Sequence, residues 1–187
     1  MAVEKWKTKS WYQVYAPELF ENKMIGEIVS SESKNLINRV IKIGLDEITG
    51  DLTKSYSSIK LRIFDVRGKK AYTKFIGHEL SPTYIKSLIR KGGTIIDNIF
   101  KVKTSDGKEI TVKYIILTRG KVPAKRRADI RDKIKTEIGK KASELTRDKF
   151  LQEILFKKLV VKMVPIIKKI TPIRRIEIKK TEINEKE

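Results

Sequence analysis

The sequence predicts an α+β protein. It should have a mostly antiparallel sheet or β-barrel-like core and two or three helices, mainly in the C-terminal half. Three observations predict this. Up to Thr118 apolar and polar residues mostly alternate, the period of a half-buried strand. After Thr118 apolar residues recur three or four apart, the period of a helix. The two kinds of segment are segregated along the chain, which favours α+β over an interleaved α/β architecture.

Strands come first. Trp11, Tyr12 and Val14 open the chain's apolar pattern, and Trp11 and Tyr15 are expected to pack a first strand onto the core. Val40 to Leu45 is rich in β-branched residues and runs toward a turn at Thr49-Gly50-Asp51. Ile59, Leu61 and Ile63 alternate with Lys60 and Arg62, and Ala71 to Ile76 reads as a return strand after Arg67-Gly68-Lys69-Lys70.

A short helix is expected over Tyr84 to Lys91, with Ser81 at the cap, Pro82 in the first turn and Gly92-Gly93 as the stop. The clearest hairpin follows. Phe100, Val102 and Thr104 lead to a turn at Asp106-Gly107, and Ile110, Val112, Tyr114 and Ile116 return. Ile130, Ile134, Ile138, Ala142 and Leu145 then form one helical stripe. Phe150, Leu151, Ile154, Leu155 and Leu159 form a second, which Pro165 interrupts. Ile173 to Ile183 is a last strand. This organisation predicts a basic, aromatic arm over residues 1–10, one α+β domain over 11–183 and a tail at 184–187.

Charge narrows the function. The 187 residues hold 43 Lys+Arg against 23 Asp+Glu, a net charge of +20. Such an excess weakens the compact state by self-repulsion unless a polyanion neutralises it. Nucleic acid is the natural partner, because cations that meet phosphates release condensed counterions. The charge is spread, with a peak of twelve basic against five acidic residues over 119–149.

Catalytic signals are missing. There is no cysteine, His78 is the single histidine, and no Gly-rich phosphate loop or metal-ligand spacing occurs. The protein is therefore expected not to be an enzyme, and to use no cofactor, no metal and no small-molecule substrate. No apolar run approaches the roughly 20 residues that span a bilayer. Met1 to Ser10 is polar, with no apolar stretch of signal-peptide type, so the expected location is the cytoplasm and no membrane partner is expected.

The candidate RNA contacts are cations in four places. Arg119, Lys121, Lys125, Arg126 and Arg127 stand within nine residues that hold no carboxylate. Arg126, Lys133 and Lys140 then share a helical face, with Arg131 beside them. Lys5, Trp6, Lys7 and Lys9 interleave cations with an aromatic, which suits unpaired bases and phosphates together. Arg67, Lys69 and Lys70 sit at a predicted hairpin tip, and Arg174 and Arg175 lead into the last strand, where Arg175 also has Glu177 nearby as a pairing partner.

Several segments resemble a known family. They are Trp11-Tyr12 through Ala16-Pro17 and Phe20, the strand start Asn38-Arg39-Val40, the hairpin Lys103-Thr104-Ser105-Asp106-Gly107, Lys125 to Ile130, and Pro172-Ile173-Arg174-Arg175-Ile176-Glu177-Ile178. In this order and spacing they resemble the archaeal and eukaryotic small-subunit ribosomal protein family S-three-A-e, also written e-S-one. Asn38 stands where the family commonly carries Gly. The chain lacks the long C-terminal extension of eukaryotic members, which points to the archaeal type.

The resemblance implies a β-barrel-like core with helices and no enzymatic activity. It further implies a place on the platform of the small subunit near the messenger exit. The expected partners are then small-subunit ribosomal RNA and neighbouring small-subunit ribosomal proteins, with messenger RNA close by. The alternative from the residues alone is a free single-stranded RNA chaperone or translation regulator.

Overall fold

The computed structural model describes residues 9–184. It is an α+β protein with eight strands, mostly antiparallel, and five α-helices, of which the three longest follow Thr118. The residues fall into two compact units, the first ending at Gly77 and the second starting at His78.

In the first unit, β1 (Ser10–Tyr15) pairs antiparallel with β2 (Met24–Ser30), and β3 (Val40–Gly44) with β4 (Ser57–Arg67). The strand β5 (Lys70–Leu80) pairs with β4 and runs parallel to β1, opposing Gln13 to Lys70 and Tyr15 to Tyr72. Gly68 takes φ +60 at the first central position of the β4–β5 turn, a conformation that glycine adopts without a Cβ penalty. The alternation read from sequence holds: Ile59, Leu61 and Ile63 are fully buried. Ile63 packs with Tyr12, Val14, Leu36 and Ala71 in one buried cluster.

Trp11 departs from expectation. Tyr12 and Val14 take the inner face, so Trp11 stands on the outer one and is 57% exposed. Tyr15 shares that outer face and is half-buried. The chain between Val40 and Gly50 also differs. The strand ends at Gly44, and a one-turn helix α1 (Leu45–Thr49) follows, burying Leu45 and Ile48. Asn38 takes φ +67, the left-handed region in which glycine is most at ease and asparagine next.

In the second unit, β6 (Ile95–Lys103), β7 (Glu109–Thr118) and β8 (Ile173–Asn184) form antiparallel ladders with β7 in the middle. One face carries Ile96, Phe100, Val112, Tyr114, Ile116 and Ile178. Against this sheet lie α3 (Ala124–Glu144), which packs on β6, and α5 (Lys158–Lys168), which packs on β8. The first stripe holds from Ile130 through Ile134 and Ile138 to Ala142, all buried, but Leu145 falls outside the helix as its extended, half-buried C-cap.

The second stripe is split. Lys157 takes φ +58, ending α4 (Arg147–Leu155) and starting α5. Pro165 does not interrupt α5, which buries Leu159, Val160, Met163 and Ile167 on both sides of it. Tertiary packing there outweighs the lost N–H bond. The helix α2 (Pro82–Leu88) ends three residues sooner than predicted, and Ser81 occupies its cap position without a side-chain hydrogen bond.

The β6–β7 turn has a second use. Gly107 takes φ +73, and Asp106 Oδ2 accepts the Arg147 N–H at 2.9 Å. Thr146, the cap residue of α4, makes no such bond itself. A residue that sequence assigns to a turn thus also caps a helix some forty positions on.

Candidate nucleic-acid interface

The loop that carries the cations at the β7–α3 junction is held by two threonines. Thr118 Oγ1 accepts the Thr94 N–H at 2.8 Å, and the Thr118 N–H reaches Thr94 O at 3.1 Å. The Thr118 hydroxyl lies 3.0 Å from Thr94 O and 2.7 Å from Gly120 O, either of which can take its proton. Thr94 Oγ1 accepts the Val122 N–H at 3.0 Å, and buried Val122 anchors the far side of the loop. Gly93 completes the contact: a Cβ there would lie 2.4 Å from Thr118 O. Between these anchors, Arg119 and Lys121 are exposed.

The same junction recruits β8. The Arg119 N–H donates to Pro172 O at 3.0 Å, and Thr118 stands opposite Ile173. Arg174 is therefore next to the loop. It lines a shallow cleft with Arg90, Leu88, Ile89, Ile95 and Leu117. Arg90 and its exposed neighbour Lys91 were missed from sequence. Their signal was a basic pair directly before Gly92-Gly93, read only as the end of a helix.

Beyond Pro123 the helix α3 continues the basic surface. Lys125, Arg126, Lys133 and Lys140 are exposed, as their spacing from the apolar stripe requires. Its first turn carries no acidic residue, so the helix N-terminus and these cations reinforce one another as an anion-attracting end.

Arg127 and Arg131 differ. They lie three residues before Ile130 and Ile134, on the inward stripe, and are half-buried. The Nε atoms of both are shielded from solvent without a hydrogen-bond partner. Arg131 is close enough to Tyr114 to influence its hydroxyl, which burial pushes up to about 12.

Arg174 and Arg175 are both exposed where β8 shifts register between Leu117 and Thr118, and they differ in their partners. Arg175 Nε donates to Glu177 Oε1 at 2.8 Å, and its guanidinium lies 5.8 Å from the Tyr84 ring centroid. Lys157 Nζ at 2.9 Å and the Tyr84 hydroxyl at 3.1 Å reach the same oxygen. Glu177 is 3% exposed, so this carboxylate is buried with three donors around it. Beside it His78 is buried with Nδ1 lacking a partner, and burial pushes its pKa down to about 4. The lone histidine is thus a neutral core residue.

In the first unit the hairpin cations are exposed. Arg67 Nε donates to Asp65 at 2.8 Å and its guanidinium lies 5.6 Å from the Tyr72 ring centroid. Lys70 Nζ lies 5.7 Å from the Tyr15 ring centroid, and Lys69 occupies the turn. Lys9 is exposed just before β1. Lys5, Trp6 and Lys7 lie outside the described residues. Among the described residues no group of three or more His, Asp or Glu side chains is arranged to hold a metal ion. No helix among them is long and apolar enough to cross a membrane.

The site defines a class: a basic α+β protein that displays cations on rigidly held loops and one helix face, suited to phosphate. The chain belongs to the Ribosomal S3Ae family, whose model matches residues 1–187. Among similar proteins is the small ribosomal subunit protein eS1 of Desulfurococcus amylolyticus, 38% identical over 180 residues, 96% of this chain and 84% of the relative. The small ribosomal subunit protein eS1 of Saccharolobus islandicus is 37% identical over 180 residues, 96% of this chain and 86% of that one.

Proposed function

We propose that this protein is a structural constituent of the small ribosomal subunit and binds small-subunit ribosomal RNA. The observation that carries the reading is the β7–α3 junction, where the Thr94–Thr118 pair holds the backbone that carries Arg119 and Lys121 and also lines the cleft of Arg90 and Arg174. A backbone held before binding has less main-chain entropy to lose when its cations meet phosphate. The exposed basic face of α3 extends this surface, and the names of the two relatives support a ribosomal role.

In this reading residues 11–183 act as one RNA-binding domain, flanked by the arm at 1–10 and the tail at 184–187. The protein sits on the platform near the messenger exit, with small-subunit proteins as neighbours and messenger RNA close by. It works in the cytoplasm, performs no catalysis and needs no cofactor.

The test is sedimentation of source-cell lysate with quantitation of the protein per small-subunit RNA. One copy per subunit, retained through a moderate salt wash, is the expected result. The variant Arg119→Glu, Lys121→Glu, Lys125→Glu, Arg126→Glu should fold normally and incorporate poorly, since all four side chains are exposed. Normal incorporation refutes the assigned surface. Wild-type protein found mainly in light fractions favours the free RNA chaperone, for which exposed Trp11 supplies a base-stacking side chain.

A further inference from the structure

The outer face of the first unit's sheet combines aromatic rings with cations. On β1, Trp11 and Tyr15 point outward while Tyr12 and Val14 are buried. On β5, Tyr72 faces outward between Lys70 and Lys74, and on β4 Phe64 is 46% exposed. The rings and cations interact across the strands. Tyr15 and Tyr72 stack with centroids 5.9 Å apart, and Lys74 Nζ lies 4.7 Å from the Phe64 centroid. Trp11, 57% exposed, is the ring most available to an incoming partner. The acids nearby are Glu27, opposite Gln13 on β2, and Asp65, which holds Arg67.

We infer that this face is a stacking platform for unpaired bases of single-stranded RNA, with Trp11 and Phe64 meeting bases and Lys70 and Lys74 meeting phosphates. The inference rests on reading the chain as an RNA-binding protein, but it names a different surface and a different form of RNA. Three physical points carry it. Every base offers a flat π-face to an exposed ring, and every nucleotide brings a phosphate for a neighbouring cation. A duplex keeps its base faces covered, so it cannot use the rings. A protein partner is disfavoured because the centre of a protein interface is depleted of charge, whereas here lysines stand between the rings.

The experiment uses the full chain with Trp6→Phe, which leaves Trp11 as the single tryptophan. It is titrated with a short oligouridylate and, separately, with an RNA duplex of equal length. Saturable quenching of Trp11 emission by oligouridylate, and little by duplex, is expected. Trp11→Ala with Phe64→Ala should weaken oligouridylate binding roughly 10-fold and leave duplex binding unchanged. Both side chains stand on the outer face and about half of each is exposed, so the variant should stay folded with its melting midpoint lowered by only a few degrees.

Absence of quenching together with unchanged affinity overturns the platform. If oligouridylate binding instead disappears only on Lys125→Glu with Arg126→Glu, the platform falls and the RNA reading stands. If the wild-type chain binds neither RNA, both fall. Capture of a small-subunit protein that Trp11→Ala weakens, with RNA affinity unmoved, assigns the face to a protein and also overturns it.

Discussion

Thr118 and Thr94 bind each other through both backbone and side chain: Thr94 N–H to Thr118 Oγ1 at 2.8 Å, and Thr118 N–H to Thr94 O at 3.1 Å. Their positions differ by 24 residues, yet together they fix where β7 stops and where the basic loop starts. Thr118→Val keeps the shape and removes the hydroxyl, leaving the Thr94 N–H without its acceptor. The expected cost is about 1–3 kcal/mol, read as a lower urea midpoint at unchanged slope. Affinity for structured RNA should fall as well, because Arg119 and Lys121 lose their frame.

The two neighbouring arginines of β8 should behave oppositely. Arg175 is bonded to buried Glu177, whereas Arg174 is exposed beside the Arg119 loop. Arg175→Met should cost about 1.5 kcal/mol of stability, since a charge-assisted hydrogen bond is lost while Lys157 and Tyr84 still satisfy Glu177. Arg174→Met should leave stability unchanged. It should lower RNA affinity and reduce the slope of log affinity against log salt by about 1. Paired denaturation and salt titrations separate the two.

His78 gives a pH dependence with a defined sign. Its folded pKa is about 4 against an ordinary 6.5, mainly through burial. Glu177 and Glu79 oppose that shift, and Lys157 adds to it. Between these values the unfolded chain binds the proton and the folded one does not. Stability from this group is therefore complete above pH 6.5 and declines as pH falls toward 4. From pH 7.5 to pH 5 the loss is about 2 kcal/mol. Urea denaturation at both pH values should show that loss in wild type and a smaller one in His78→Gln.

Asn38 tests backbone strain. It holds φ +67, which glycine adopts freely and alanine does not. Asn38→Ala should destabilise by about 1 kcal/mol, and Asn38→Gly should match or exceed wild type. Thermal midpoints of the three proteins decide it.

Features set by local periodicity or turn chemistry follow from the order of residues alone. The inward stripe of α3, the alternation in β4, the Gly68 and Gly107 turns and the extent of β8 were all legible, because each depends on residues a few positions apart. The exposed cations of 119–126 were legible for the same reason, and so was the inward direction of Arg127, had the stripe been extended one turn backward.

Which cations remain for a partner depends on the folded chain. Arg175 is taken up by Glu177, whose other donors come from Tyr84 and Lys157, and Arg90 meets Arg174 across a cleft. Likewise Lys157 breaks the second stripe without any Gly or Pro signal, in a left-handed conformation that accompanies its bond to Glu177. Trp11 is exposed because the inner face was already filled by Tyr12, Val14 and their partners from other strands. Burial and charge pairing are properties of which distant segments meet, and a periodicity read along one segment carries no information about its neighbours in space.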